Sequence, residues 1–218
     1  MSDLENATRS SRSSRPKTKQ ILAYRPYEKL LSYQRSNAVY LATVKFTQRF
    51  LKRGDRTIDQ MIQAARSGKQ NIVEGSMAGA GSKQSELFLT NVARASLAEL
   101  LEDYKDFLNV HGYSGWDADS KEAQFVRKLC RKDGGSYENY REFVETRPAD
   151  VVANIIIVLI HQTCFLLDKQ VAAIEEMFLA DGGLKEKMSR MRIEARKMGG
   201  ERGDWHGDNG RNGKARSS

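Results

Sequence analysis

The chain has 218 residues, 39% of them hydrophobic, and a formal net charge of +8. This length predicts one domain with appendages. The two cysteines, Cys130 and Cys164, have no C-x-x-C pair or clustered histidines near them, which excludes a disulfide framework and a zinc site and suits a reducing compartment.

The net positive charge is confined to the two ends of the chain. Residues 1–19 carry five basic and two acidic side chains, and residues 185–218 carry ten basic and five acidic ones. The whole chain has 36 basic and 28 acidic residues, so 21 of each remain between residues 20 and 184. The body is therefore formally neutral, and the basic material is concentrated in the terminal segments.

Residues 1–23 are predicted to form a disordered basic tail. They are rich in Ser, Arg and Lys, and they lack the apolar segment of a secretory signal. A mitochondrial presequence stays open on composition, although Asp3 and Glu5 count against it. We therefore expect a cytoplasmic protein.

Residues 24–183 are predicted to contain four long helices, and no segment alternates as a strand does. The first helix covers about residues 29–51 and is ended by Gly54. The second begins at Asp55 or Thr57, either of which can cap it. The third opens at Ser82 and stops at Gly112, and the connections between these helices are short. Short connections make neighbours antiparallel, which predicts an all-α fold, an up-and-down four-helix bundle.

The fourth helix is predicted to start near Pro148 and to end before Gly182. Its segment 151–167 is apolar nearly all round, which raises the alternative of a membrane span. The segment is shorter than the roughly 20 residues that a bilayer needs, and it contains Asn154, His161 and Gln162. We interpret it as the central helix of a soluble bundle, or as one helix that serves both the core and an oligomer contact.

Between the third and fourth helices lies a predicted insertion, residues 113–147. A structureless loop of this length is uncommon in a compact domain, so we expect a small helical insertion packed over one end of the bundle. The patterning that suggests its two short helices comes from Phe125, Val126, Leu129 and Cys130, and then from Tyr137, Tyr140 and Phe143.

After the bundle, residues 184–198 are predicted to form a short basic suffix helix. Residues 199–218 are rich in Gly, Arg and Asn with one tryptophan, which predicts a disordered tail.

The stretch "QAARSGKQNIVEGSMAGAGSK", residues 63–83, allows two interpretations. A phosphate-binding loop would need G-x-x-x-x-G-K-[ST] after a strand, but Ser82 separates Gly81 from Lys83 and the preceding segment is helical. The spacing of small residues instead favours a seam where the second and third helices pack closely. Polar residues in it would form an interhelical network or a ligand site. The residues of this motif are Arg66, Gly68, Asn71, Glu74, Gly75, Arg94, Ser96 and Glu99.

These segments resemble a known family. "LLSYQRSNAVYLATVKFTQRF", "QMIQAARSGKQNIVEGSMAGAGSK", "ELFLTNVARASLAELLEDYKDFL" and "ETRPADVVANIIIVLIHQTCFLLDKQ" are similar to bacterial four helix bundle suffix domain proteins. That group is related to proteins encoded in 23S ribosomal RNA intervening sequences and to the accessory protein of diversity-generating retroelements. The resemblance covers roughly residues 24–197. It implies a pentameric barrel of four-helix protomers, and in the retroelement protein a basic surface that binds nucleic acid and a reverse transcriptase.

Catalytic chemistry is poorly represented in the sequence. His111 lies near a helix end, His206 falls in the tail, and His161 with Gln162 is interpreted as a satisfied buried pair in preference to a general base. We expect no enzyme, no cofactor and no metal site.

The resulting functional expectation is a non-enzymatic homo-oligomeric scaffold whose basic ends contact RNA or DNA. The alternative is a protein–protein adaptor with solubilising tails, and neither has a role for a membrane. The residues expected to contact nucleic acid are Arg12, Arg15, Lys17, Lys19, Arg190, Arg192, Arg196 and Lys197, with Trp205 stacking on a base.

Overall fold

The computed structural model describes residues 26–131 and 135–180, together with Ser189, Arg192 and Ile193. Of these described residues 84% are helical and none is in a strand, which confirms the prediction of an all-α protein. The predicted N-terminal tail up to residue 23, most of the suffix helix and the C-terminal tail lie outside the described residues. The helices are α1 (Leu31–Phe50), α2 (Arg56–Ala78), α3 (Lys83–Val110), α4 (Lys121–Arg131), α5 (Arg141–Thr146) and α6 (Ala149–Ala180).

The helix ends follow the local sequence signals. Of the two candidate caps for α2, Asp55 is the one used, because its carboxylate accepts the Thr57 backbone N–H at 2.9 Å. Ser82 caps α3 by accepting the Ser85 N–H at 3.2 Å. Gly112, which follows α3, has φ +68°, a left-handed conformation that only glycine adopts without strain. These boundaries were therefore predictable from single residues.

The four long helices share one hydrophobic core. Helix α1 packs against α2 and α6, and α3 also packs against α2 and α6. At the centre the Phe46 ring lies 5.0 Å from the Tyr104 ring and 4.9 Å from the Phe107 ring, centroid to centroid. The buried Tyr104 hydroxyl donates to Thr43 Oγ1 at 3.1 Å, so the core contains no unpaired phenol there.

The insertion does not pack over one end of the long helices, as the sequence suggested, but lies along the side formed by α1 and α6. Arg35 Nη2 donates to the Cys130 carbonyl at 3.3 Å, and Arg49 Nη2 donates to the Arg147 carbonyl at 3.1 Å. These two arginines are separated by about 21 Å of helix at 1.5 Å per residue. The insertion therefore follows most of the length of α1.

This placement explains why the first half of α6 is apolar nearly all round. Helices α1 and α3 pack on α6, and α4 packs on it as well. By length and composition alone, Ala149–Leu179 could cross a bilayer, with a mean hydropathy of 1.9. Within the protein 56% of that apolar window is buried, and the core helix of a soluble protein passes the same composition test. The buried apolar residues in this half are Val152, Ala153, Ile155, Ile156, Val158, Leu159 and Ile160.

One buried amide ties the insertion to α6. Asn154 is 2% exposed, and its Oδ1 accepts the Trp116 backbone N–H at 2.7 Å. Its Nδ2 donates to the Ser114 carbonyl at 3.0 Å and to the Asp150 carbonyl at 2.9 Å. The side chain thus satisfies three backbone groups, two of which belong to the segment that leaves α3.

Replacing this amide tests how much the attachment contributes. Asn154→Ala leaves the Trp116 N–H and the Ser114 carbonyl without their partner, so we expect the free energy of unfolding to fall by about 2 kcal/mol or more. Urea unfolding followed by circular dichroism measures it. The control is Asn91→Ala, since Asn91 is exposed and donates only to the Leu87 carbonyl of its own helix. Equal losses in the two variants would contradict the attachment role.

Candidate functional site: the α2–α3 seam and the surrounding clefts

Glycines bring α2 and α3 into close contact. A Cβ built at Gly68 would lie 2.8 Å from both Leu97 Cγ and Leu97 Cδ2, and one at Gly75 would lie 3.3 Å from Leu89 Cβ. The Ala93 carbonyl is also only 3.5 Å from the Gly68 position. We call this contact of Gly68 and Gly75 with α3 the α2–α3 seam. It confirms the interpretation of residues 63–83 as a close helix contact.

The polar side chains in the α2–α3 seam form a small network. Ser67 Oγ and Ser96 Oγ are 2.9 Å apart and join the two helices directly. Asn71 Nδ2 donates to the Ser67 carbonyl at 2.9 Å and to Ser67 Oγ at 3.2 Å. Two of the predicted motif residues, Asn71 and Ser96, therefore both contact Ser67 at one level of the seam, where they fix the register of α2 against α3.

The ionic part of the predicted network does not form. Arg66, Glu74 and Glu99 are exposed, and among the described residues none of them makes an ion pair with another motif residue. Arg94 instead pairs with Asp168 on α6, with Nε and Oδ1 2.5 Å apart. Helical spacing placed these side chains on α2 and α3 correctly, but it could not show that α6 supplies the acid that pairs with Arg94.

Lys83, the lysine that suggested a phosphate-binding loop, already has an acidic partner. Its Nζ lies 2.6 Å from Glu86 Oε2, and a Cβ at Gly79 would collide with that same carboxylate. The preceding segment is the helix α2 and not a strand. The pair lines a cleft of about 520 Å³ at the end of the protein where α1 begins and α2 ends, together with Ser32, Gln170 and Ile174. This geometry supports a helix turn held by an ion pair.

The insertion forms a second, largely apolar cleft that sequence reasoning missed. It has a volume of about 620 Å³ and lies between α4, α5 and the start of α6. The Phe125 and Phe143 rings meet edge to face at 5.7 Å, and the Arg147 guanidinium lies 6.0 Å from the centre of the Phe143 ring. The amphipathic pattern of residues 121–131 was the sequence signal that could have indicated this cleft. It was missed because the insertion was expected over one end of the bundle. Its apolar lining includes Trp116, Phe125, Val126, Phe143, Val151 and Ile155.

The interpretation of His161 and Gln162 as a buried pair is wrong. His161 is exposed, whereas Gln162 Oε1 accepts a hydrogen bond from the buried Cys130 thiol. Successive residues of an α-helix point about 100° apart, so only Gln162 turns toward the insertion. His111 is also accounted for locally, since its Nδ1 lies 2.8 Å from the Phe107 carbonyl.

The two cysteines lack the features of a nucleophile. Burial raises the pKa of the Cys130 thiol, and the Tyr140 hydroxyl donates to its sulfur at 2.8 Å. Burial likewise raises the pKa of Cys164. Both groups therefore stay protonated at neutral pH. Across the described ranges no three His, Cys, Asp or Glu side chains come together as metal ligands.

Most residues expected to contact nucleic acid cannot be placed. Arg192 is the one that falls in the described part of the chain, and it is exposed. The others, Arg12, Arg15, Lys17, Lys19, Arg190, Arg196, Lys197 and Trp205, lie outside the described residues.

Comparison of this chain with known protein families, curated proteins and solved structures finds no match.

The close approach in the seam predicts the effect of adding one methyl group. Gly68→Ala should destabilise the protein by about 1–3 kcal/mol, because the new Cβ overlaps Leu97. This loss opposes the gain of about 1 kcal/mol that alanine brings to a helix. Thermal or urea unfolding measures the difference.

Two further variants separate crowding from other causes. Gly81→Ala is the control, since the nearest atom to its Cβ is the Ala78 carbonyl oxygen at 3.9 Å, and we expect a change within about 0.5 kcal/mol. In a Leu97→Ala background, Gly68→Ala should cost less than in the natural sequence. An unchanged cost in that background would reject the contact with Leu97 as its cause.

Proposed function

We propose that the protein is a non-enzymatic oligomeric scaffold whose basic termini contact nucleic acid. The observation that carries the proposal is the charge distribution, with a neutral body and an excess of three and five positive charges in residues 1–19 and 185–218. Flexible Arg and Lys side chains neutralise phosphates without reading sequence. The termini would therefore supply largely sequence-independent affinity, while the helices provide the scaffold.

The scaffold itself we propose to be an up-and-down four-helix bundle. Ser32, near the start of α1, donates to Gln170 Oε1 late in α6 at 3.0 Å, and Arg49 at the other end of α1 contacts Arg147 just before α6. This pairing supports an antiparallel α1 and α6. The α2–α3 seam supports the same relation for its two helices, since Ser67 meets Ser96 whereas the later Gly75 meets the earlier Leu89.

Assembly into a homo-oligomer has support on the second half of α6. Ala172 and Leu179 are exposed and lie seven residues apart, so they share one face of the helix. Leu179 is 75% exposed. A second copy could bury this stripe, as helices with heptad spacing do. The family that the sequence resembles would make the assembly a pentamer.

The test is salt-dependent binding of the full chain to labelled RNA and DNA, followed by fluorescence anisotropy. Replacing four terminal cations by glutamine should reduce the slope of log affinity against log salt by about three between roughly 50 and 200 mM salt. The terminal variant changes Arg12, Arg15, Lys17 and Lys19, and a second one changes Arg190, Arg192, Arg196 and Lys197. The matched control replaces four exposed cations of the body, Lys52, Arg53, Arg56 and Lys128.

Equal losses in the terminal and body variants would place binding elsewhere than on the termini. No binding at about 50 mM salt would reject nucleic acid as the partner. Light scattering of the same samples tests assembly, and a mass of 24.6 kDa would correspond to the monomer and reject the oligomer.

A protein–protein adaptor is the second candidate function, and the apolar insertion cleft favours it. Phe125 lines that cleft and is 48% exposed, although the neighbouring faces of α4 and α5 are packed. An apolar side chain of a partner protein that bound in this cleft would bury Phe125. In the binding experiment this function predicts that RNA and DNA leave the anisotropy unchanged at every salt concentration.

A further inference from the structure

A third cleft, with a cationic lining, lies where α1, α4 and α6 meet. Its volume is about 420 Å³. Its residues belong to the body of the chain, residues 20–184, which has equal numbers of acidic and basic side chains, and not to the basic termini. We call it the arginine cleft, and its lining consists of Arg35, Arg127, Arg131, His161, Gln162, Phe165 and Leu166.

Among the described residues that line the arginine cleft there is no carboxylate to neutralise its three arginines. One Nη of Arg35 donates to the Cys130 carbonyl, but its buried Nε has no hydrogen-bond acceptor among the described residues. Arg127 and Arg131 stand one turn apart on α4, and within the described ranges neither makes an ion pair. Guanidinium groups left this way retain donors for a ligand.

The surrounding charges reinforce the positive character of the cleft. Although His161 is exposed, partial desolvation at the cleft lowers its pKa, and the positive charges of Lys105 and Arg127 lower it further. Lys105 belongs to α3 and pairs with Glu102 at 2.8 Å, yet its charge still acts on the imidazole. Like charges that converge in a partly enclosed space repel each other, and an anion relieves that repulsion.

We propose that the arginine cleft binds the phosphoryl group of a small phosphate compound. Guanidinium groups offer paired N–H donors that match the oxygen atoms of a phosphate, and charge-assisted hydrogen bonds of this kind are strong. The volume falls within the range of small-molecule sites. This inference goes beyond the proposed function, since it assigns a defined site in the folded body and not a diffuse contact of the termini.

Phe165 decides between two sources of the phosphoryl group. Its ring is 57% exposed and forms part of the lining, and Lys169 Nζ lies 4.8 Å from the ring centre, so a nucleobase next to the phosphate site would stack on the face that Lys169 leaves open. Free phosphate would use the arginines alone, whereas a mononucleotide would also use this ring.

The experiment is isothermal titration calorimetry of the full chain with inorganic phosphate and with adenosine 5′-monophosphate, each to about 10 mM. Arg127→Gln should weaken binding of either probe by about tenfold or more. The control Lys128→Gln removes the same charge from the same helix at an exposed position outside the lining, and it should change affinity by less than about twofold. Arg131→Gln provides a second cleft variant at an exposed position, so its packing cost is small.

The outcomes separate the source of the group from the existence of the site. A nucleotide is supported if adenosine 5′-monophosphate binds more tightly than phosphate and Phe165→Leu abolishes that difference. Equal binding of the two probes supports free phosphate. The proposal is overturned if neither probe binds, or if Lys128→Gln weakens binding as much as Arg127→Gln and Arg131→Gln do. Because these probes are small and the termini are unchanged, the result is independent of nucleic-acid binding by the tails.

Discussion

The need to cover α6 on several sides organises the rest of the structure. Its first half carries isoleucine, valine and leucine on nearly every face, and each of these side chains is stabilised when removed from water. Helices α1 and α3 cover part of that surface, and α4 of the insertion covers another part. Asn154 holds this arrangement together, because its amide binds the backbone of the segment that leads into the insertion.

The packing of α4 on α6 also forms the arginine cleft. Once α4 lies against α6, Arg127 and Arg131 come beside Arg35 of α1 and His161 of α6. A body with 21 basic and 21 acidic residues thereby acquires a locally positive cleft. Net charge along the sequence therefore does not describe the surface between α1, α4 and α6.

The sequence could predict the features that depend on residues close together in the chain. Asp55 and Ser82 indicate helix starts, Gly112 indicates a helix end, and the spacing of Gly68 and Gly75 indicates a close helix contact. The partner of Arg94 and the side on which the insertion packs depend on contacts between residues far apart in the chain. Helical periodicity gives the face of one helix but not which other helix meets that face, so the arginine cleft was also beyond reach. The nucleic-acid residues remain a prediction of composition.

Native-state hydrogen exchange along α6 tests most directly whether this helix is covered within its own chain. The account predicts that amides of residues 152–160 exchange slowest of all, at a rate set by global unfolding, and that dilution of the protein leaves that rate unchanged. Fast exchange of these amides in dilute protein, with protection that appears only on assembly or in lipid micelles, would contradict it.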